Sequence, residues 1–131
     1  MLEPLLVALE KDGFLKERLT EPKQKKDKDT ETYMGVCYVP GAPYARRIDI
    51  KVFPREKYGF AMCYFTGSDM FNRSMRLFAE KKGYMLSEHG LVPLLSKGEK
   101  NEKVGTIPCQ TEEEVFVALG LPYKAPSERD L

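Results

Sequence analysis

The stretch Arg46-Arg47-Ile48-Asp49-Ile50-Lys51-Val52-Phe53-Pro54 alternates charged and apolar side chains from position 47 to position 52. A period of two predicts a strand with one face on a core and the other face in water. The apolar face consists of Ile48, Ile50 and Val52, and the charged face of Arg47, Asp49 and Lys51. Pro54 ends the strand because proline has no amide hydrogen to donate to the sheet, and it suits the first turn of a following helix.

Upstream of this strand, leucines at positions 2, 5, 6 and 9 recur at helical spacing and predict a helix over about 3–12, with Gly13 as its C-terminal cap. Residues 14–19 and 33–39 are interpreted as two antiparallel strands, joined by a solvated loop with the sequence EPKQKKDKDTE at 21–31. With the strand at 46–53, these elements predict a helix packed on a three-stranded antiparallel sheet.

Downstream, the pattern becomes helical from Arg55 to Phe65, with Tyr58, Met62 and Phe65 near one face. A second helix begins after Ser68 as N-cap and ends at Gly83. Its apolar stripe is Phe71, Met75, Phe78 and Ala79. Short strands are predicted around 84–86 and 91–95, followed by a polar loop at 96–103.

A last helix opens at Thr111 with a capping-box pattern, buries Val115, Phe116 and Leu119, and ends at Gly120. Residues 121–131 are interpreted as an extended tail. The predicted fold class is α+β, divided into residues 1–57 and 58–131, with the boundary near 54–58.

The bulk composition excludes several classes of function. A net charge of +1 rules out a whole-chain basic field, so any nucleic-acid contact must come from local charge. Cys37, Cys63 and Cys109 are scattered and the sole histidine is His89, which predicts buried, inert thiols and no zinc site. No apolar run is long enough for a membrane span, and we expect an amphipathic helix at the start, not a signal peptide.

Asp49 is the first candidate for chemistry. A carboxylate fixed on a strand is a suitable magnesium ligand. The alternative is a surface carboxylate neutralised by Arg47 and Lys51 on the same face. Asp27 and Asp29 form an Asp-x-Asp pair in a lysine-rich stretch and are interpreted as solvated, so Asp49 has no partner acids in this sequence.

The second candidate is Tyr64-Phe65-Thr66-Gly67-Ser68, at the break between two helices. Aromatic rings at such a break can pack flat on a sugar or a base, and Gly67 permits an unusual backbone geometry. The alternative is an ordinary helical joint with core aromatics.

The third candidate is one side of the next helix, where Asn72, Arg73 and Arg76 lie at positions i, i+1 and i+4. Asparagine and arginine can reach base-edge acceptors, including those in the minor groove. The alternative is a solvated helix face. Glu88 could pair with an arginine, and His89 could donate to a phosphate, although a lone histidine is more often structural.

Taken together, these segments resemble the X family of DNA polymerases. The motifs that carry the resemblance follow in the family's order over essentially the whole chain: GVC at 35–37, RRIDI at 46–50, YFTGS at 64–68, FNRSMR at 71–76, SEHGL at 87–91 and LGLPYKAPSERD at 119–130. The resemblance implies that 1–57 is the end of the palm subdomain and 58–131 the nucleotide-selecting thumb. It also implies a nuclear, monomeric enzyme of gap-filling and base excision repair.

That resemblance also implies roles for particular residues. Asp49 would be a catalytic aspartate that binds Mg²⁺ or Mn²⁺ and activates the primer 3′-hydroxyl. Tyr64, Phe65 and Gly67 would lie beside the sugar of the incoming deoxynucleotide, with a cis bond between residues 67 and 68. The remaining roles are base contact for Asn72, DNA contact for Arg73, Arg76 and His89, and a conformational switch for Arg47 and Glu88.

The chain departs from the family pattern in lacking the phosphate-binding GGS motif and the first two catalytic aspartates, which the resemblance places upstream. We therefore expect the isolated chain to be inactive, while the parent enzyme extends a primer on gapped or primed duplex DNA. Two alternatives remain, a non-catalytic DNA or protein interaction module and a terminal-transferase-like relative. Template-independent relatives tend to carry Gly-Trp where this chain has Tyr64-Phe65, which favours a template-directed enzyme.

Overall fold

The computed structural model describes residues 2–19, 23–24, 30–95 and 105–130. The chain divides into two compact units, Met1–Pro54 and Arg55–Leu131. Both units mix helices with antiparallel strands, so the predicted α+β class is confirmed. Within the described ranges, no helix is long and apolar enough to cross a membrane.

In the part of the first unit that the structure describes, a helix accompanies a four-stranded antiparallel sheet. Its elements are α1 Leu2–Lys11, β1 Leu15–Arg18, β2 Lys23–Gln24, β3 Glu31–Cys37 and β4 Arg46–Val52. Strand β3 is central, because it pairs with β4 along one edge and with β1 and β2 along the other.

The predicted three-stranded sheet was therefore wrong by one strand. Strand β2 lies within the polar stretch interpreted as a solvated loop, where Lys23 pairs with Thr32 and Gln24 with Glu31. Ladder hydrogen bonds use main-chain groups, so a polar sequence can complete the edge of a neighbouring strand without an apolar pattern. Asp27 and Asp29 lie outside the described residues.

The core of the first unit lies between α1 and one face of the sheet. Its buried side chains are Leu2, Leu6, Leu15, Tyr33 and Cys37. The apolar face of β4 packs against this cluster, while its charged face is exposed. The predicted alternation along β4 is confirmed, and it places Asp49 on the outer face of the sheet.

Over residues 55–95 and 105–130, the second unit contains three helices, a two-stranded sheet and a final helical turn. Its elements are α2 Arg55–Thr66, α3 Asp69–Lys81, β5 Tyr84–Ser87, β6 Gly90–Pro93, α4 Glu112–Leu119 and a 3₁₀ helix Pro126–Arg129. The predicted N-caps Ser68 and Thr111 are confirmed, although the side chain of Glu114 accepts from Gln110 N and not from Thr111 N as a capping box requires. Ser68 Oγ accepts from Phe71 N at 3.2 Å, and Thr111 Oγ1 accepts from Glu114 N at 3.3 Å.

The core of the second unit gathers apolar side chains from α2, α3, β6 and α4. Its largest members include Phe60, Met75, Leu91 and Phe116. The apolar face predicted for α2 is not the one that enters this core, because Tyr58, Met62 and Phe65 are exposed. Helix α2 instead sends Phe60 and Cys63 into the core, and at Gly59 the absence of a side chain lets the main chain of Thr111, the N-cap of α4, approach closely.

The predicted extended tail is also corrected. Its last part forms the 3₁₀ helix, and Arg129 at its end is only 1% exposed. A buried guanidinium needs partners, and it finds them in a carboxylate, a carbonyl and aromatic rings. The carboxylate of Glu112 and the ring of Phe116 both lie on α4, distant in sequence from Arg129, so the local pattern did not indicate that this arginine is buried.

Candidate functional site

The turn between α2 and α3 forms the centre of the candidate site. Gly67 adopts a left-handed conformation with φ of +74°, which favours glycine, and the bond between Gly67 and Ser68 is cis as expected. Gly67 N donates to Cys63 O at 3.3 Å, and Ser68 caps α3. The segment that joins the two helices is thus held by hydrogen bonds on both sides.

An open cleft of about 360 Å³ lies against this turn. It is lined by the continuous segment 64–69 together with Asn72 and Arg76 of α3. The structure therefore brings together five residues that the sequence analysis proposed as functional: Tyr64, Phe65, Gly67, Asn72 and Arg76. Helical spacing explains this arrangement, since Asn72 and Arg76 lie one turn apart on the same side of α3.

The two aromatic rings of the turn lie at the surface of the second unit. Tyr64 is 37% exposed and Phe65 is 55% exposed, so they are not the core aromatics of the alternative interpretation. Their ring centroids are 5.0 Å apart with an interplanar angle of 83°. This edge-to-face pair gives the cleft an apolar wall against which a planar or ring-shaped ligand can pack.

The amide of Asn72 is oriented by the protein backbone. Its Nδ2 atom donates to the main-chain oxygen of Tyr64 at 2.8 Å. A side-chain amide nitrogen carries two hydrogens, so one remains for a second acceptor, and Oδ1 can accept as well. Asn72 can therefore present a fixed donor to a ligand in the cleft.

The two arginines of α3 differ in environment. Arg73 pairs with Asp69 at 3.3 Å one turn away, and both side chains are well exposed. Exposed pairs of this kind contribute little to stability. Arg76 is half-buried and lines the cleft. The structure thus places Arg76 at the site and Arg73 on the adjoining helix surface.

Glu88 and His89 occupy the turn between β5 and β6. Glu88 Oε1 lies 3.4 Å from His89 Nε2, and His89 N donates to Ser87 Oγ at 3.1 Å. The partner that the structure gives Glu88 is a histidine and not the arginine that the sequence suggested. Neither residue lines the cleft at the α2–α3 turn.

Asp49 lies on the exposed face of β4 in the first unit. Its Oδ1 atom is 3.1 Å from Arg47 Nε, and Arg47 also contacts the sulfur of Met34. The described ranges contain no group of three His, Cys, Asp or Glu that could hold a metal. Asp49 therefore offers one carboxylate ligand to a divalent cation. The described residues do not supply the further ligands that a complete metal site requires.

The thiols near the core do not offer a nucleophile. Burial raises the pKa of Cys63 to about 12, with a further rise from the charge of Glu112, and burial raises the pKa of Cys109 to about 11. A thiol with a raised pKa is protonated at neutral pH and reacts slowly. The predicted buried, unreactive cysteines agree with these environments.

One residue near the site was missed by sequence reasoning. The main-chain oxygen of Arg129 accepts a hydrogen bond from Ser68 N at 3.2 Å, so the end of the chain touches the turn that lines the cleft. The segment 119–130 was recognised only as a motif. An arginine in a polar stretch carries no local signal that it will be buried.

Comparisons with known proteins match both units of the chain. The family profile described as DNA polymerase beta palm matches residues 1–55, and the profile described as DNA polymerase beta thumb matches residues 61–130. DNA polymerase lambda of Rattus norvegicus is 44% identical over 134 aligned residues, which cover 99% of this chain and 23% of the rat protein.

Two further relatives match the chain over different shares of its length. DNA polymerase lambda of Arabidopsis thaliana is 40% identical over 94% of this chain and 24% of its own length. DNA nucleotidylexotransferase of Monodelphis domestica is 38% identical over 66% of this chain and 15% of its own length. The chain thus spans about a quarter of the length of the polymerase relatives.

Proposed function

The chain belongs to the DNA polymerase beta family, the X family, and from this premise we propose that it is the nucleotide-selecting portion of a template-directed, gap-filling repair polymerase. In this proposal, residues 1–57 act as the end of the palm and 58–131 as the thumb. The observation that carries it is the cleft that gathers Tyr64, Phe65, Gly67, Asn72 and Arg76 beside one turn.

The proposed ligand of the cleft is a deoxynucleoside triphosphate paired with a template base. The sugar packs against the turn at Tyr64 and Phe65, where an added 2′-hydroxyl has no room. The second hydrogen of Asn72 Nδ2 donates to the acceptor that every base presents in the minor groove, N3 of a purine or O2 of a pyrimidine. This donor tests the shape of a base pair without reading its sequence.

The proposed DNA contacts come from cations on the second unit. Arg76 at the cleft and Arg73 on the adjoining surface of α3 would contact the template strand, and His89 would donate to a phosphate. Arg47 and Glu88 would exchange the partners they have now, Asp49 and His89, when the enzyme closes on its substrate. The DNA partner is gapped or primed duplex, and the enzyme acts as a monomer in the nucleus without membrane association.

The proposed cofactor is Mg²⁺ or Mn²⁺. Such an ion, when bound, stabilises the charge on the attacking and leaving oxygens of a phosphoryl transfer. Asp49 would supply one carboxylate ligand, and in the proposed parent enzyme the other carboxylates would come from the segment that the family resemblance places upstream. For this reason we expect the 131-residue chain alone to give no primer extension with either metal.

A non-catalytic interaction module remains the second candidate. The observation that favours it is that the described residues contain no group of three His, Cys, Asp or Glu side chains, and Asp49 alone cannot hold two ions in place. Such a module would bind gapped duplex DNA in a salt-sensitive manner but would not contribute to catalysis. A terminal-transferase-like activity is less consistent with the Tyr64-Phe65 pair.

A chimera separates these candidates. The chain replaces the matched 23% of the rat polymerase, and the chimera is tested for single-nucleotide insertion into a gapped duplex with Mg²⁺. We expect insertion, and we expect Asp49→Asn to lower its rate by about three orders of magnitude, or about 4 kcal/mol of transition-state stabilisation. Asp12→Asn, which changes an exposed carboxylate at the end of α1, is the matched control and retains full activity.

Two results would contradict the proposal. One is a well-folded chimera that binds the gapped duplex but inserts nothing, which would favour the interaction module. The other is an Asp49→Asn chimera as active as the Asp12→Asn control. Insertion that is equally fast without a template strand would instead support the terminal-transferase alternative.

A further inference from the structure

The guanidinium of Arg129 is the most deeply buried charged group among the described residues, with 1% of the residue exposed. Its Nη2 atom forms an ion pair with the carboxylate of Glu112 at the start of α4. Its Nε atom donates to the main-chain oxygen of Lys124 at 2.9 Å. The side chain is thus anchored both to α4 and to the segment that follows it.

Three aromatic rings surround the same guanidinium. Its central carbon lies 5.1 Å from the ring centroid of Phe116, 5.6 Å from that of Tyr123 and 5.8 Å from that of Phe71. Phe116 and Tyr123 also contact each other edge to face, with centroids 5.4 Å apart. Because Phe71 belongs to α3 and Phe116 to α4, the arginine joins two helices and the chain end at one point.

The backbone of Arg129 makes a different contact. Its carbonyl oxygen accepts a hydrogen bond from Ser68 N at 3.2 Å, and Ser68 is both the N-cap of α3 and a residue of the cleft. Ser68 Oγ accepts a hydrogen bond from the amide of Phe71 at 3.2 Å. The ring of Phe71 is also one of the three that surround the guanidinium, a set of rings called the arginine cage below. The side chain of Arg129 therefore contacts Phe71 and its carbonyl oxygen contacts Ser68, so both contacts lie at the start of α3.

We infer that Arg129 is a positioning residue for the cleft. The arginine cage fixes the position of the Arg129 side chain. Because the side chain is fixed, the carbonyl oxygen of Arg129 stays within hydrogen-bond distance of Ser68 N. This hydrogen bond determines the backbone position of the turn at 64–68. Simple packing would not require a charge, because replacing a buried ion pair by apolar groups of similar volume is often neutral or stabilising. A cation held between Glu112 and three rings, in contrast, has a defined position, which a positioning role requires.

The ligand side of this inference rests on the proposed function, namely that the sugar of a deoxynucleotide packs against the turn. The bond between Arg129 and Ser68 does not depend on that function, so it can be tested separately. Three variants of the full chain are suitable: Arg129→Met, Arg129→Lys and Glu112→Gln. Exposed neighbours give matched controls, Glu128→Gln on the same 3₁₀ helix and Glu113→Gln on α4.

Amide hydrogen exchange measured by NMR tests the bond directly. In Arg129→Met we expect exchange of the Ser68 amide to accelerate about tenfold or more, while core amides such as Ala79 and Leu91 change far less. Arg129→Lys, which keeps the cation, should restore part of the protection, and both control variants should match the wild type. If Arg129→Met does not fold, Glu112→Gln provides the same comparison in a folded chain.

Two exchange results would overturn the inference. In the first, Ser68 and the core amides accelerate in parallel, so Arg129 affects only global stability. In the second, the Ser68 amide exchanges at the wild-type rate in Arg129→Met and in Glu112→Gln.

Sugar discrimination in the rat chimera tests the consequence for the ligand. We expect Arg129→Met to lower the ratio of kcat/KM for dATP to that for ATP about tenfold, because a displaced turn no longer excludes the 2′-hydroxyl. If exchange of the Ser68 amide accelerates but the ratio of kcat/KM values is unchanged, Arg129 positions the turn without affecting sugar selection. That result would contradict the part of the inference that concerns the ligand. If the wild-type chimera inserts no nucleotide, the proposed function fails, and the exchange data alone decide whether Arg129 positions the turn.

Discussion

The side-chain nitrogen of Asn72 lies 2.8 Å from the main-chain oxygen of Tyr64, so α3 is tied through its first turn to the end of α2. This hydrogen bond spans the turn that lines the candidate cleft. It gives Asn72 two possible functions, to hold the turn and to present its second hydrogen to a ligand. Substitutions that keep the size of the side chain can separate these two functions.

Asn72→Asp should destabilise the second unit. The change replaces a donor by a charged oxygen that faces the main-chain oxygen of Tyr64, so this hydrogen bond is lost and repulsion between the two oxygens is added. We expect the free energy of unfolding to fall by about 0.5–1.5 kcal/mol, measured by urea denaturation at neutral pH. Ser74→Ala on the exposed side of the same helix should change it by less than about 0.5 kcal/mol. Equal stability of Asn72→Asp and wild type would contradict the role of this bond.

Gly59→Ala should destabilise the contact between α2 and α4. A Cβ atom at Gly59 would lie 2.4 Å from the main-chain oxygen of Thr111 and 3.0 Å from that of Cys109. Alanine is favoured over glycine in a helix by about 1 kcal/mol, but overpacking against backbone costs about 1–3 kcal/mol. We therefore expect a lower Tm, measured by calorimetry.

The control for Gly59→Ala is Glu80→Ala at an exposed position of α3, which should leave Tm nearly unchanged. A Gly59→Ala variant with a raised Tm would indicate that α4 can move away from α2 without loss. The close packing of these two helices would then not depend on a glycine.

The native thiols of Cys63 and Cys109 should resist alkylation at pH 8.5. Burial raises the pKa of these thiols to about 12 and about 11, so almost none of either is thiolate at that pH. We expect iodoacetamide to leave both unmodified in the native chain and to modify them in denaturant, as measured by mass spectrometry. Ser127→Cys, at an exposed position, should be alkylated readily and shows that the reagent is active.

The same raised pKa values predict the direction of a pH effect on stability. A thiol that is neutral in the folded chain ionises first in the unfolded chain, near the ordinary pKa of 9.0. Its contribution to stability is complete below that pH and is lost as the pH rises towards the folded values. Cys63→Ala should reduce the fall in unfolding free energy between pH 9 and pH 11, and an unchanged slope would contradict the burial of an un-ionised thiol.

Mn²⁺ should bind the first unit weakly, at Asp49. We expect paramagnetic broadening of the amide resonances of Ile48 and Ile50, and its loss in Asp49→Asn but not in Asp12→Asn. Arg47→Gln should strengthen the broadening, because Arg47 Nε now lies 3.1 Å from Asp49 Oδ1 and competes with a cation. Broadening that persists in Asp49→Asn would place the ion elsewhere.

Much of the fold could be predicted because its signals are local. The alternation along β4, the caps at Ser68 and Thr111, and the apolar stripe of α3 each depend on residues within one or two turns. Strand β2 could not be predicted, because its partners on β3 are main-chain groups and its own side chains are polar. The sequence also left open whether Phe65 is buried or exposed, because α2 carries apolar side chains on more than one face.

The sequence predicted the segments of the candidate site one by one, without showing that they lie together. The sequence indicated the turn at 64–68 and the polar side of α3, and the family motifs assigned roles to both. Whether Tyr64 and Phe65 enter the core or line a cleft depends on which face of α2 meets α4. The buried side is the one that carries Phe60 and Cys63, with Gly59 against the main chain of Thr111, and no window of α2 alone reveals these contacts.

The sequence by itself determined most of the helices and strands, including the strand that carries Asp49, and the family, because periodicity, caps and ordered motifs are properties of neighbouring residues. Tertiary structure alone decided that Arg129 is buried among three rings and that its carbonyl contacts Ser68. The physical reason is that burial of a charge becomes favourable only when distant partners compensate for the lost hydration. Those partners, Glu112 and the rings, meet only when the helices pack.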